Sequence, residues 1–177
     1  GNYGATGVSS SSNTSYTNII INDGFIEGSV YGGGNKNGSG SSSKTATVNI
    51  TMNNGNVVGS IYGGSNEKGT IYGTVNVNIN GGEVTNSVYG GGRGGYTNSS
   101  NSGTFVRDDI NVVIGDSSLN TTPIINKSVY GGSAYGTVND SSSGTSVSSS
   151  KTKVTVNKGI IVNVFGGGEG NNTYTPY

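Results

Sequence analysis

The chain has 177 residues, of which 34 are Gly and 29% are hydrophobic, and its nine basic and nine acidic side chains cancel to zero formal charge. A neutral chain offers no basic surface for a nucleic-acid backbone or an anionic membrane. The absence of Cys and His removes disulfides, thiol nucleophiles, the common zinc sites and the usual acid–base side chain near neutral pH.

No run approaches the roughly 18 apolar residues of a membrane helix, and no charged-then-apolar leader opens the sequence. A first residue of Gly rather than Met reads as a piece excised or processed from a longer polypeptide. So low an apolar content suggests disorder. The apolar residues nevertheless fall at regular positions, and a narrow core can suffice where backbone hydrogen bonds are laddered.

Residues 1–15 alternate weakly and form an N-terminal segment. From residue 16 to 168 one pattern recurs. In the first copy Ile19 and Ile21 alternate with Asn18, as a half-buried strand requires, and Asn22-Asp23-Gly24 follows as a corner. A second strand then turns Ile26 and Val30 inward and ends in Ser29-Val30-Tyr31-Gly32-Gly33-Gly34. The second copy runs Val48/Ile50/Met52, Asn53-Asn54-Gly55, Val57 and Ile61, and Ser60-Ile61-Tyr62-Gly63-Gly64-Ser65. The third runs Val75/Val77/Ile79, Asn80-Gly81-Gly82, Val84 and Val88, and Ser87-Val88-Tyr89-Gly90-Gly91-Gly92. In the fourth, Ile110/Val112/Ile114 leads into an insertion from about Gly115 to Pro123 in place of the corner, then Ile125 and Ser128-Val129-Tyr130-Gly131-Gly132-Ser133. The fifth has Val154/Val156, Asn157-Lys158-Gly159, Ile161 and Asn163-Val164-Phe165-Gly166-Gly167-Gly168. In the strands that lead into an Asn-x-Gly corner, Ile20 is the apolar exception on the outer face. Segments between copies, such as Asn37–Ser43, Thr97–Gly103 and Asp140–Ser150, are rich in Gly, Ser and Asn and read as surface loops. Residues 169–177 form a C-terminal tail.

The expected fold is all-β: a parallel β-solenoid of about five coils, spanning on the order of 20–25 Å at one strand spacing per coil. Asn-x-Gly between alternating runs is also a hairpin signal, so stacked antiparallel β-hairpins are the alternative. In the solenoid, Asn22, Asn53, Asn80 and Asn157 share one corner, each followed by a Gly (Gly24, Gly55, Gly82, Gly159) suited to a tight turn. The Asn amides can bond along the stack.

The Gly-x-Val-x-x-Ser-Val-Tyr-Gly-Gly-Gly rhythm between Gly24 and Gly168 resembles repeats of large bacterial surface proteins of the adhesin or autotransporter-passenger kind. That resemblance implies a parallel β-helix extending from a cell surface, with loops or faces presented to ligands.

Tyr31, Tyr62, Tyr89, Tyr130 and Phe165 each follow an inward Val or Ile. Strict alternation sends them outward as an aromatic ladder on which sugar rings could stack, whereas a bend at the Gly run packs each ring on the next over the corner. Packing is the preferred reading. Arg107-Asp108-Asp109 with Asp116 is the acid-rich cluster, but no calcium-repeat signature recurs and a solvated loop flank is expected. The run Gly90–Gly95 lacks the Gly-Lys-Ser/Thr of a phosphate loop.

The sequence therefore points to a structural or adhesive segment of an extracellular or cell-surface repetitive fibre. No catalytic, metal or cofactor site is expected, and neither a nucleic-acid partner nor membrane insertion. Expected partners are other copies of the chain, joined end to end, or a carbohydrate or host surface. A carbohydrate-binding or carbohydrate-processing β-helix using the aromatic ladder is the second reading, and a Gly/Ser/Tyr-rich low-complexity tract the third.

Overall fold

The computed structural model describes residues 14–41, 45–95, 103–139 and 149–170. Most of the N-terminal segment 1–15 and of the tail 169–177 lies outside the described residues, as do most of the expected loops 97–103 and 140–150.

No helix occurs among the described residues. In chain order the strands are β1 (Thr14–Ile21), β2 (Phe25–Ile26), β3 (Val30–Tyr31), β4 (Thr45–Met52), β5 (Asn56–Val57), β6 (Ile61–Tyr62), β7 (Gly69–Ile71) and β8 (Val75–Ile79). They continue as β9 (Glu83–Val84), β10 (Val88–Tyr89), β11 (Thr104–Val106), β12 (Ile110–Ile114), β13 (Ile124–Tyr130), β14 (Thr137–Val138), β15 (Thr152–Val156) and β16 (Ile160–Phe165). Three sheets result. The first is ordered β1-β4-β8-β12-β15, the second β2-β5-β9-β13-β10-β6-β3 with β16 also on β13, and the third β14-β11-β7. In the second sheet β13 is continuous where earlier passes have two short strands, so it joins β9 through its first half and β10 through its second.

Every strand pair among the described residues is parallel. The strands flanking each Asn-x-Gly corner enter different sheets, β1 the first and β2 the second. Stacked antiparallel hairpins are thereby excluded, because a hairpin needs those neighbours to pair with each other. Each pass of the chain instead pairs with the passes before and after it, residue on equivalent residue: Ile21, Met52, Ile79, Ile114 and Val156 form one row of partners.

Period-two alternation fixes the inner face. In β4 the side chains of Ala46, Val48, Ile50 and Met52 are fully buried while Thr47, Asn49 and Thr51 are not. The same holds for β8 and β12, and their inward residues join Val57, Ile61, Val84, Val88, Ile125 and Val129 in one continuous core. β-Branched residues suit this surface because their restricted χ1 packs well on a pleat.

Glycine acts at two kinds of position. Gly24, Gly55 and Gly82 turn the corner at φ of 110°, 98° and 78°, a region costly to a residue bearing a Cβ. The Gly after each of Tyr31, Tyr62, Tyr89 and Tyr130 is required for closeness instead. A Cβ on Gly63 would run into the Gly90 carbonyl oxygen and the Val75 side chain, and one on Gly90 into the Gly131 carbonyl oxygen and Ile110.

Three expectations need correction. Asn37–Ser43 is not simply a surface loop, since Gly38 and Ser39 are buried. Ser39 bridges to Ile71, donating its N–H to the Thr70 carbonyl at 3.0 Å and accepting from Tyr72 N–H at 2.9 Å, so this segment edges the third sheet. The row of corner asparagines is interrupted, because Gly115 stands between Asn80 and Asn157 where the fourth pass begins its insertion. Val156 and Val164, expected inward, are 46% and 47% exposed. They lie on the last described pass, where no further described pass covers them.

Val77 is fully buried and Asn78 stands on the opposite face of the same strand. Val77→Asp should lower stability by more than about 4 kcal/mol or abolish folding, because it buries an unpaired carboxylate. Asn78→Asp should stay within about 1 kcal/mol. Thermal melts of the two variants check the register, and equal losses would mean that the faces are exchanged.

Candidate functional site

The aromatic row is the most regular feature that side chains build. Strand register places Tyr31 beside Tyr62, Tyr62 beside Tyr89, Tyr89 beside Tyr130 and Tyr130 beside Phe165. Ring centroids follow at 5.0, 4.8, 4.9 and 4.9 Å with interplanar angles of 3–12°. Ala134 and Tyr135 pack against the stack, and Tyr62 and Tyr89 keep only 8% and 5% exposure. A sugar ring would need a free aromatic face, and each internal face here is filled by the next ring.

Burial raises the Tyr62 hydroxyl above its ordinary 10.0. Burial also raises Tyr89, and its hydrogen bond to the Glu169 carboxylate at 2.5 Å raises it further.

Carboxamides form two further rows. On the outer face of the first sheet, Asn49 donates to Asn18, Asn76 to Asn49 and Asn111 to Asn76, at 2.8, 2.9 and 3.0 Å. At the corner, Asn53 donates to Asn22 and Asn80 to Asn53 at 2.8 and 3.0 Å, and Asn157 donates to the Gly115 carbonyl at 3.0 Å. Both rows run one way, with the later residue donating through Nδ2 to the earlier. A serine row does the same through the backbone, the N–H of Ser60, Ser87 and Ser128 donating to the hydroxyls of Ser29, Ser60 and Ser87.

Strand β12 sets Asp116 apart from the consecutive Arg107-Asp108-Asp109. Asp109 accepts the Lys151 backbone N–H at 2.8 Å, and Arg107 lies over the Tyr72 ring at 5.3 Å. Asp116 accepts both the hydroxyl and the N–H of Ser118, which hold its carboxyl below the usual range. All of β12 separates Asp109 from Asp116, about 20 Å at a strand's rise per residue, whereas paired glycosidase carboxylates stand about 5–9.5 Å apart. No group of three or more acidic side chains among the described residues is placed to hold a metal ion.

A shallow groove of about 510 Å³ runs along the corners beneath the insertion, lined in part by Asp23, Asn56, Glu83, Thr121 and Thr122. Glu83 already accepts from Asn126 at 2.6 Å and Asn56 at 3.4 Å. Gly24, Gly55 and Gly82 also line this groove, while Gly159 follows the last corner on the final pass.

No family model, no curated protein and no solved structure matches the chain.

The tyrosines supply a pH test. A hydroxyl whose pKa is raised by folding adds stability that is fully present below the unfolded value near 10 and is lost as pH rises through the folded value. Stability should therefore be flat across neutral pH and fall above about pH 10. A spectrophotometric titration should show Tyr62 and Tyr89 ionising only together with the loss of β-structure in circular dichroism, and earlier reversible ionisation of all tyrosines would contradict the packed stack.

Proposed function

We propose that the chain is a β-solenoid segment of about five coils that serves as a structural or adhesive part of an extracellular, repetitive surface fibre and catalyses no reaction. The observation that carries this reading is the residue-on-residue parallel register of the repeat copies, in which aliphatic, aromatic and carboxamide side chains each continue as rows through successive passes. Rows of this kind stiffen a scaffold.

Four of the carboxylates that could do chemistry are held by neighbouring donors. Asp109, Asp116, Glu83 and Glu169 accept hydrogen bonds from neighbouring backbone or side-chain groups. These engagements, and the separation of Asp109 from Asp116 by β12, support a scaffold over a carbohydrate-processing enzyme, and the filled ring faces weigh against sugar binding along the aromatic row. The alternating burial of β4, β8 and β12 weighs against a low-complexity tract. Likeness to the repeats of bacterial adhesins and autotransporter passengers supports the cell-surface assignment through the motif alone.

Acidic and neutral polysaccharides incubated with the chain, with and without Ca²⁺, should remain uncut. Cutting that disappears in Asp109→Ala would overturn the non-catalytic reading. Antibody raised against the chain should label intact cells, and labelling only after lysis would overturn the surface assignment.

A further inference from the structure

The two ends of the stack differ in chemistry, and they differ in a complementary way. On the last described pass Ile160 and Val162 are 62% and 66% exposed, and Val156, Val164 and Phe165 are also open. On the first, Phe25 is 68% exposed. Phe25 and Ile160 belong to one row, Phe25–Asn56–Glu83–Ile124–Ile160. That row is polar at Asn56 and Glu83 but apolar and exposed at its two ends.

Charge divides in the same sense. The first pass carries exposed Asp23 and Glu27, and its cation Lys36 is paired with Glu67 at 3.3 Å. The last pass carries Lys151, Lys153 and Lys158, while its acid Glu169 takes the Tyr89 hydroxyl.

The carboxamides add direction. Asn157 uses its Nδ2 on the Gly115 carbonyl, so its Oδ1 remains an acceptor. Asn22 accepts from Asn53 through Oδ1, so its Nδ2 remains a donor.

We propose that the last pass receives the first pass of a second copy of this chain, head to tail, in the register that joins successive passes within one copy. The contact rests on the scaffold reading above and deepens it by naming the partner. Phe25 of the incoming copy covers Ile160, Tyr31 extends the ring stack on Phe165, Asp23 meets Lys158, and Asn22 donates to Asn157. The edge of each end strand, unpaired among the described residues, supplies backbone hydrogen bonds. Like ends repel, because joining two last passes opposes lysines to lysines and joining two first passes opposes acids to acids. Charge of this kind selects orientation more than it adds affinity. A head-to-tail contact does not close on itself by symmetry, so it propagates as a filament.

The test uses the 177-residue chain and two substitutions at exposed positions, Phe25→Lys at one end and Ile160→Lys at the other, so that the two altered ends also repel each other. In sedimentation velocity the unaltered chain should grow in size with concentration. Each variant alone should sediment as single chains, its association weakened at least about tenfold, equivalent to about 1.4 kcal/mol. An equimolar mixture of the two should form one-to-one dimers and stop, because one intact end of each kind remains. Single-chain sedimentation of the unaltered protein with β-type circular dichroism would overturn the stacking and leave the scaffold standing. Dimerisation of either variant alone would overturn the head-to-tail orientation. A dichroism spectrum without strand content would overturn the scaffold reading itself.

Discussion

The passes can lie one strand spacing apart only because the backbone after each stacked tyrosine carries no side chain. At Gly63 and Gly90 the space a Cβ would need is occupied by the carbonyl oxygen of the next pass and by an inward side chain of the first sheet. Parallel strands repeat at about 4.7–4.9 Å, and the ring centroids repeat at 4.8–5.0 Å. Carboxamide bonds of 2.8–3.0 Å span the same interval. Backbone, rings and amides therefore share one translation. A methyl group at Gly63 would lengthen that translation locally and loosen all three together.

Sharing a translation also makes the polar rows directional. Because Asn49, Asn76 and Asn111 each donate to the residue before them, every internal carboxamide is both donor and acceptor. Such chains of hydrogen bonds polarise one another. The rows also satisfy side chains that would otherwise compete with the strand backbone for its hydrogen bonds, which is the usual reason Asn is depleted in strands. An Asn-rich chain with few apolar residues can thus remain strand-forming without a thick core.

What could be read from the residues was whatever carried a period. Val48/Ile50/Met52 and Val75/Val77/Ile79 announce an inner face by alternation alone, and the Asn-x-Gly corners fall at a constant distance before the tyrosines. The third sheet had no such signal. Its strands β7, β11 and β14 are two or three residues long and contribute one core aliphatic each, Ile71, Val106 and Val138. A period cannot be seen in so short a run. At the first pass the position is held by Ser39 among Gly and Ser residues, so composition pointed to a loop while parallel pairing with Ile71 buried it. The direction of the tyrosines was also beyond alternation, because Gly follows each ring and the strand ends there. The exposure of Val156 and Val164 depends on what stacks beyond them, which no local pattern encodes.

Chain length varies where this shared translation does not act. Partners in the first sheet are 31, 27, 35 and 42 residues apart, from Thr14 to Thr45, Val48 to Val75, Val75 to Ile110 and Ile110 to Thr152. The rise per pass cannot follow that variation, since rings and strands hold it. Extra residues must leave the stack sideways, as the insertion after Ile114 does where Thr121 bonds the Asn80 carbonyl from outside the corner. Lengthening a loop costs little entropy, so these excursions can change in length and sequence while the rows beneath them are conserved in geometry. A scaffold of this kind separates the part that must repeat from the part that can differ.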